Sequence, residues 1–516
     1  MATPQEKQAR ALDSLRALQE RGIVAIKSSD LTRTHRQLLL KFGFLQPVMK
    51  GWYIPARPDG DSGESAAWYA SFWDFCATYL NDRFGTEWSL TAEQSLSIHV
   101  GNRVIPTQLL VRSPRGKNNV THLPFDTSLL DVTAALPIEG QRIELDGLRL
   151  FSVPAALVAC PPGYFPHRAT DARAALATIN DASVVLSILL DGGHSAVAGR
   201  LAGAFRNIGR ARVADDIIKT MKAAGYAVRE KDPFDDVPAI LISPREVSPY
   251  VNRVQLMWEE MRDTVIEQFP PSPGKVVDID AYLQAVDDTY VTDAYHSLSI
   301  EGYRVSRGLI ERVRRGTWSP DADDRDEKNA LAARGYWQTY KVVRESVRKV
   351  LEGQNPGDAL ADGHGDWYRE LFAPSVAAGI LKASGLAGYR DSQVYIGGSK
   401  HVPPRKEAVR DLMPCFFELL RKEKHPAVRV VLGHFVFVYI HPYMDGNGRM
   451  GRFLMNVMLA AGGYQWTVLP VNTRDQYMPA LEAASVEQDI GPFTNYLGEL
   501  VKAQLSGHPK AQGPAN

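Results

Sequence analysis

Along the first fifty residues, apolar positions follow the spacing of a helix, a turn, a second helix and then a short hairpin. Leu12, Leu15 and Leu18 recur three apart, and Gly22 follows as a stop signal. SSDLTRTHRQLLLKFG predicts a mixed basic and apolar helix, with Ser29 or Asp30 as its N-cap and Gly43 at its end. PVMKGWYIP predicts a strand, a turn at Lys50 and Gly51, and a returning aromatic strand. PARPDGDSGES, residues 55–65, is a polar break and a natural boundary. From 65 to about 245, helical patterns alternate with short β-branched runs such as HVGNRVIP and TQLLVRSP, and ALAT and SVVLSILLDG mark later helices. No nucleophile, metal cluster or phosphate loop emerges there, and His99, His122 and Asp126 to Thr133 read as structural.

From about 275 onward the pattern is mostly helical. Two helix patterns meet near Glu301 and Gly302, and the charged stretch SPDADDRDEKNA precedes a helix over 329–351. GQNPGDALADGHGD, residues 353–366, reads as a glycine-rich loop, with another helix beginning near Trp367. SQVYIGG is a β-like interruption, and PPRKEAVRDLM leads into two further helices. RVVLGHFVFVYI, Arg429 to Ile440, is almost continuously apolar, too short to span a bilayer, and predicts a buried core helix. The tail after Lys502 is polar and is expected to be disordered.

A length of 516 residues predicts about three or four domains. Hydrophobic and charged fractions of 45% and 23% are those of a soluble globular chain, and 59 basic residues balance 59 acidic ones. Net charge therefore implies no nucleic-acid or membrane partner, although local patches can. Cys76, Cys160 and Cys415 have neither metal-ligand spacing nor a disulfide pattern, and they suit a reducing compartment. The start lacks the apolar core of a secretory signal, and no run approaches ~18 apolar residues. A cytoplasmic location without membrane contact is expected. The balance changes locally: residues 1–50 hold nine Lys or Arg against four Asp or Glu. Helices followed by a basic wing fit a winged helix-turn-helix that binds DNA, with Arg33, Thr34, Arg36 and Lys41 on the recognition helix and Lys50 on the wing. The alternative is a small subdomain with a solvated basic face.

The densest chemistry lies in HPYMDGNGRMGR, His441 to Arg452. Its DGNGR core is turn-like, and RMGRFLMNVMLAAGG begins a new helix. A loop feeding a helix N-terminus presents unsatisfied N–H groups, and the glycines allow a phosphate to approach them. Arg449 and Arg452, three apart, share one side of the first turn and suit further phosphate oxygens. Asp445 is a hard oxygen ligand suited to Mg²⁺ bridging phosphates, and a neutral His441 can accept a hydroxyl proton. A metal site alone fits less well, because one histidine and one aspartate lack a third ligand.

The stretch resembles the Fic-domain signature HPFxDGNGRxxR at every fixed position except Tyr443, which stands in place of phenylalanine. Doc-type kinases of the same superfamily have lysine where Gly448 stands, so the chain resembles the nucleotidyl-transferring version. The resemblance implies an all-α catalytic domain using ATP and Mg²⁺. His441 would deprotonate a Ser, Thr or Tyr hydroxyl of a protein, or of the chain itself, for attack on the α-phosphate with loss of pyrophosphate. It implies Asp445 as the metal ligand, Gly446, Asn447 and Gly448 as the anion hole, Arg449 on the polyphosphate and Arg452 on the γ-phosphate. Asn456 resembles a polar position near the nucleotide, or else packs the helix. YRDSQVYIGGSKHVPPRKEAVRDLM resembles the family's flap, with Val394, Tyr395, Ile396 and Gly397 on a β-hairpin that docks an extended target.

SLSIEG resembles the family's inhibitory motif, with Ser297, Glu301 and Gly302 at its fixed positions. Ser297 and Glu301 share a helix face, and Glu301 is expected to pair with Arg452 in the space of the γ-phosphate. The front half more weakly resembles the winged-helix start of AbiEi-like antitoxin regulators. The expected organisation is a multidomain chain: residues 1–60 winged-helix-like, 65–245 an α+β domain, 275–320 the inhibitory-helix region, 326–502 the Fic domain with its flap, and 503–516 a tail. The leading expectation is an auto-inhibited protein adenylyltransferase. Alternatives are a DNA-binding regulator, of transcriptional or toxin–antitoxin type, whose Fic domain senses nucleotide or modifies itself, a transferase using another nucleotide, and an enzyme that removes AMP. The resemblance also leaves self-association open.

Overall fold

The computed structural model describes residues 3–56, 58, 65–234, 248–318 and 327–513. Most of the 55–65 break and of the charged stretch before 329 lies outside the described residues. Two compact units are present: Met1–Arg253 with Val394–Val402, and Val254–Gln393 with Pro403–Asn516.

The first unit opens with α1 (Pro4–Glu20), β1 (Ile26–Lys27), α2 (Arg33–Lys41), β2 (Leu45–Met49) and β3 (Trp52–Pro55), the strands forming an antiparallel sheet in the order β1-β3-β2. The N-cap of α2 is Thr32, whose hydroxyl accepts from the His35 N–H at 3.2 Å. Asp30 was an expected cap, but its carboxylate instead accepts from the Lys27 N–H at 2.8 Å and closes the preceding turn. After it come α3 (Ala66–Phe84), β4 (Ser89–Leu90), α4 (Ala92–His99), β5 (Gln108–Ser113), β6 (Asn119–Leu123), β7 (Thr127–Thr133), β8 (Arg142–Leu145) and β9 (Leu148–Phe151). β5 and β7 are parallel within a mixed sheet of order β4-β5-β7-β6. TQLLVRSP becomes β5, whereas HVGNRVIP is the end of α4 and a loop, with Asn102 bound to Asp171. Six helices complete the region: α5 (Val153–Ala159), α6 (Tyr164–His167), α7 (Ala169–Ala177), α8 (Ser183–Asp191), α9 (Ser195–Asn207) and α10 (Ala211–Ala223).

Before the expected boundary at 55–65, Ala11, Leu15, Leu18, Ile26, Leu31, Leu39 and Leu45 form one apolar cluster, and a second cluster crosses the boundary. Trp52 and Ile54 of β3 pack in one apolar cluster with Trp68, Phe72 and Phe75 of α3 and Leu109 and Val111 of β5. Trp52 and Phe75 meet edge to face at 5.8 Å, an aromatic contact that adds to area burial.

Helix α11 (Pro249–Gln268) leads into the second unit, which is all-helical among its described residues. It contains α12 (Ile279–Ile300), α13 (Arg307–Arg315), α14 (Glu327–Leu351), α15 (Pro356–Ala377), α16 (Lys406–Lys422), α17 (Pro426–Ile440), α18 (Asn447–Ala461), α19 (Arg474–Glu482) and α20 (Gly491–Leu505). The expected loop at 353–366 is mostly helix: Asn355 caps α15 and Pro356 occupies its first turn. Glycines there serve packing. A Cβ on Gly357 would lie 2.5 Å from the Arg421 backbone nitrogen, and one on Gly335 of α14 would lie 2.0 Å from the Leu371 carbonyl of α15. Nearly every residue of α17 is buried, from Ala427 to Ile440. Helix α20 continues into the expected tail, and Gln512 accepts a hydrogen bond from His296 Nε2 at 2.9 Å. Among the described residues, no helix is long and apolar enough to cross a membrane.

Candidate active site

Helix α17 delivers His441 to the site by stopping at it. His441 is the C-cap, in the left-handed region at φ 53°, and its N–H donates to the Phe437 carbonyl at 3.0 Å. Nδ1 lies 3.0 Å from the Val438 carbonyl, which requires a proton on Nδ1 and leaves Nε2 as the accepting nitrogen. Burial lowers the imidazole pKa to about 4, outweighing the Val438 bond. Near pH 7 it is neutral.

The loop after His441 is closed by Asn447. Its Oδ1 accepts from the Tyr443 N–H and its Nδ2 donates to the Tyr443 carbonyl, both at 2.9 Å. That side chain shapes the anion loop from within; it is 2% exposed. Tyr443 stacks on Tyr368 with centroids 3.9 Å apart. Gly446 is the N-cap of α18 at φ 81°, and a Cβ there would meet the Phe372 ring at 2.8 Å, so both conformation and space call for glycine. The next N–H groups begin α18 and have no partner four residues back in the helix. Asp445 accepts from the Gly446 N–H at 2.5 Å and lies 3.4 Å from Arg449 Nη2.

Two arginines project from the first turns of α18. Arg452 is 4% exposed and is held from the end of α12, where Nε donates to Ser297 Oγ at 2.8 Å and Nη2 to the Ser297 carbonyl at 3.0 Å and Glu301 Oε1 at 2.7 Å; the Tyr477 hydroxyl of α19 meets it as well. Burial alone would raise the Glu301 carboxyl, but the Arg452 and Arg449 guanidiniums overcome it and hold the pKa below the usual range. A Cβ added to Gly448 would lie 2.3 Å from Glu301 Oε1. The carboxylate therefore sits on the anion loop itself, besides engaging its arginine.

Asn456 bonds to the Arg452 carbonyl and to both backbone groups of Thr467, at 3.2, 3.2 and 2.8 Å. These contacts fit the packing reading of its sequence position. Among the described residues, no three His, Cys, Asp or Glu side chains converge on a metal position. Asp445 is a single carboxylate, 65% exposed, which suits a cation that takes most of its ligands from phosphates and water.

Residues 364–459 match the model of the Fic/DOC family. The chain carries a Fic domain. It is 29% identical over 277 residues to the protein adenylyltransferase Fic of Drosophila grimshawi, covering 52% of this chain and 54% of that protein. The Drosophila willistoni protein of the same name is 30% identical over 229 residues, covering 44% and 43%. The chain thus spans about half the length of the curated relatives it matches. Among solved structures, Fic-1 from C. elegans aligns with a TM-score of 0.35 at 17% identity, over 63% of this chain and 91% of that one. A Fic family protein from Desulfovibrio desulfuricans G20 aligns at 0.33 and 20%, over 52% and 77%.

Ser297, Glu301, Gly302, His441, Asp445, Gly446, Asn447, Gly448, Arg449, Arg452 and Asn456 all lie in the unit that holds the Fic domain. Val394, Tyr395, Ile396 and Gly397, the expected flap, belong to the first unit, where Val402 joins the core and the Ile105 N–H donates to the Lys400 carbonyl at 2.9 Å. They form no strand or β-hairpin, and a turn at Gly397 and Gly398 is closed by the Ser399 N–H on the Ile396 carbonyl. Arg33, Thr34, Lys41 and Lys50 are exposed in the first unit, whereas Arg36 donates to the Ser28 carbonyl at 2.6 Å and lies over Tyr53.

Arg390 was not among the residues that the sequence pattern singled out. Its Nε donates to the His441 carbonyl and its N–H to the Pro442 carbonyl, both at 2.9 Å, so it fixes the backbone on which the histidine sits. Its partners are main-chain oxygens, which no motif spacing records. Likewise, His434 ties α17 to α18 and α19 through the Gly451 carbonyl at 2.9 Å and the Tyr477 hydroxyl at 2.8 Å.

Proposed function

We propose that the chain is an auto-inhibited protein adenylyltransferase that moves AMP from ATP to a Ser, Thr or Tyr hydroxyl of a protein, itself included. The observation that carries this reading is the position of Glu301, bound to Arg452 and resting against Gly448 of the anion loop. In the transfer, the hydroxyl oxygen bonds to the α-phosphorus while His441 Nε2 takes its proton. The bond from that phosphorus to the bridging oxygen breaks, and pyrophosphate leaves. Phosphate binding at the anion loop brings negative charge close to His441, which raises its proton affinity when the proton must be accepted.

The first-turn N–H groups of α18 and the glycines accept phosphate oxygens, and Arg449 and Arg452 stabilise charge on the leaving side. Asp445 would hold Mg²⁺, which supplies charge neutralisation along the polyphosphate. While Glu301 occupies Arg452, a γ-phosphate meets a like charge instead of its clamp. Replacing Glu301 therefore restores the acceptor site.

Incubating E301G with isotopically labelled ATP, GTP, CTP and UTP, followed by intact mass and peptide mapping, tests this. An AMP adduct from ATP on a hydroxyl residue is expected, and His441→Ala in that background should abolish it while ATP binding persists. Transfer that survives H441A would remove the histidine from its role. An adduct from another nucleotide would replace AMP in the reading.

The first fifty-five residues add a second property. Exposed Arg33, Thr34, Lys41 and Lys50 on α2 and the β2–β3 turn support a winged-helix reading in which the first unit binds duplex DNA. Binding that weakens steeply with salt and fails when these residues are replaced supports it; indifference of a duplex panel removes it.

A further inference from the structure

Arg449 is 1% exposed, yet its Nε has no hydrogen-bond partner among the described residues. Asp445 lies 3.4 Å from its Nη2, and two aromatic rings, Tyr303 and Phe372, flank it, each with its centroid 5.2 Å from the guanidinium carbon. A guanidinium against aromatic faces is stabilised by their negative quadrupoles, while its N–H donors remain in its own plane. Such face contacts fix the plane of the fork, and the Tyr303 hydroxyl adds a hydrogen bond to it, while Nε is left open.

Phe372 comes from α15, but Tyr303 comes from the inhibitory turn. The Tyr303 N–H donates to the Leu298 carbonyl at 3.1 Å, and the Gly302 N–H to the Ser299 carbonyl at 3.0 Å, closing the end of α12. Gly302 makes that reversal at φ 84°, and a Cβ there would meet nothing within 4 Å. Its glycine is needed for conformation, and the consequence is the placement of Tyr303 on Arg449.

We propose that Tyr303 is a positioning residue: its ring holds Arg449 edge-on for the polyphosphate. The inhibitory turn therefore supports one arginine of the clamp while Glu301 withholds the other. Activation is then withdrawal of the Glu301 side chain, with the turn left in place. This rests on the adenylyl-transfer reading only for the identity of the ligand, a nucleoside triphosphate.

The test is ATP affinity by calorimetry, which needs no transfer, in the E301G background. E301G/Y303A is expected to bind ATP at least tenfold more weakly than E301G, while E301G/Y303F binds within threefold. E301G/Y303L, which keeps apolar volume without a ring face, should resemble the alanine variant. In E301G/R449A, adding Y303A should change affinity less than twofold, since Tyr303 acts through Arg449. Unchanged affinity in Y303A, equal behaviour of leucine and phenylalanine, or an additive loss in the R449A background would overturn the proposal. An E301G chain that binds no ATP overturns it as well. Failure of AMP transfer with these affinity changes intact would count against the transfer reading alone.

Discussion

Ser297 and Glu301 give Arg452 three acceptors, and one of these three is a carboxylate. Ser297 is 2% exposed and uses both its hydroxyl and its carbonyl on the guanidinium. Ser297→Ala would leave the buried Nε–H without an acceptor, at a cost of about 1.5–3 kcal/mol for a bond to a charged group. A loss of that size in urea unfolding is expected, together with raised basal labelling from ATP, because α12 then holds Arg452 less firmly. Unchanged stability would show that solvent replaces the serine. At this scale the signature was legible because its chemistry is local: loop, glycines and helix start lie within twelve residues. The work of Asn447 and Arg390 was not, because both bind main-chain groups whose positions only the folded loop defines. The Glu301–Arg452 contact joins residues 151 positions apart, and spacing alone could not reach it; a family resemblance did.

Among the elements, helices with strong apolar patterns were read well, α17 above all, while glycine misled. Glycine in 353–366 signalled a loop, yet α15 uses it to approach its neighbours. Gly335 gives the sharpest case, since its missing Cβ would fall 2.0 Å from a backbone oxygen of α15, which cannot swing aside as a side chain can. Gly335→Ala gains helix propensity of about 1 kcal/mol but forces α14 and α15 apart, an overpacking cost of about 1–3 kcal/mol or more. Net destabilisation is expected, and a higher melting temperature would contradict the close packing. The β-like reading of 392–398 failed for a different reason. Among the described residues no strand pairs with it; the Ser392 carbonyl accepts from Arg390, the Gln393 amide donates to the Pro403 carbonyl, and a turn closes at Ile396 and Ser399.

For the molecule as a whole, buried histidines govern acid stability in the second unit. Burial lowers His434 and His441 to about 4, below the unfolded value near 6.5. Their contribution is complete above about pH 6.5 and is lost as pH falls toward 4. Asp293, raised to about 6 by burial against its bonds from Tyr336 and Trp466, acts in the opposite sense and recovers stability over nearly the same window. His296 and His364 are lowered by burial too, and Glu301 and Glu423 are held below the usual carboxylate range, so the balance is a net loss of stability as pH falls. A lower urea midpoint at pH 4.5 than at 7.5 is expected, and an unchanged one would contradict the account. The first unit was the less legible half, because its sheet mixes parallel and antiparallel pairs and its core draws on segments from β3 to Val402.

In the proposed function, Glu301 restrains a competent site by holding Arg452. The most direct test of this is the initial rate of AMP incorporation from labelled ATP by the wild-type chain and by E301G at equal concentration. A rate at least tenfold higher is expected for E301G. Equal rates from two folded proteins, each binding ATP alike, would contradict it.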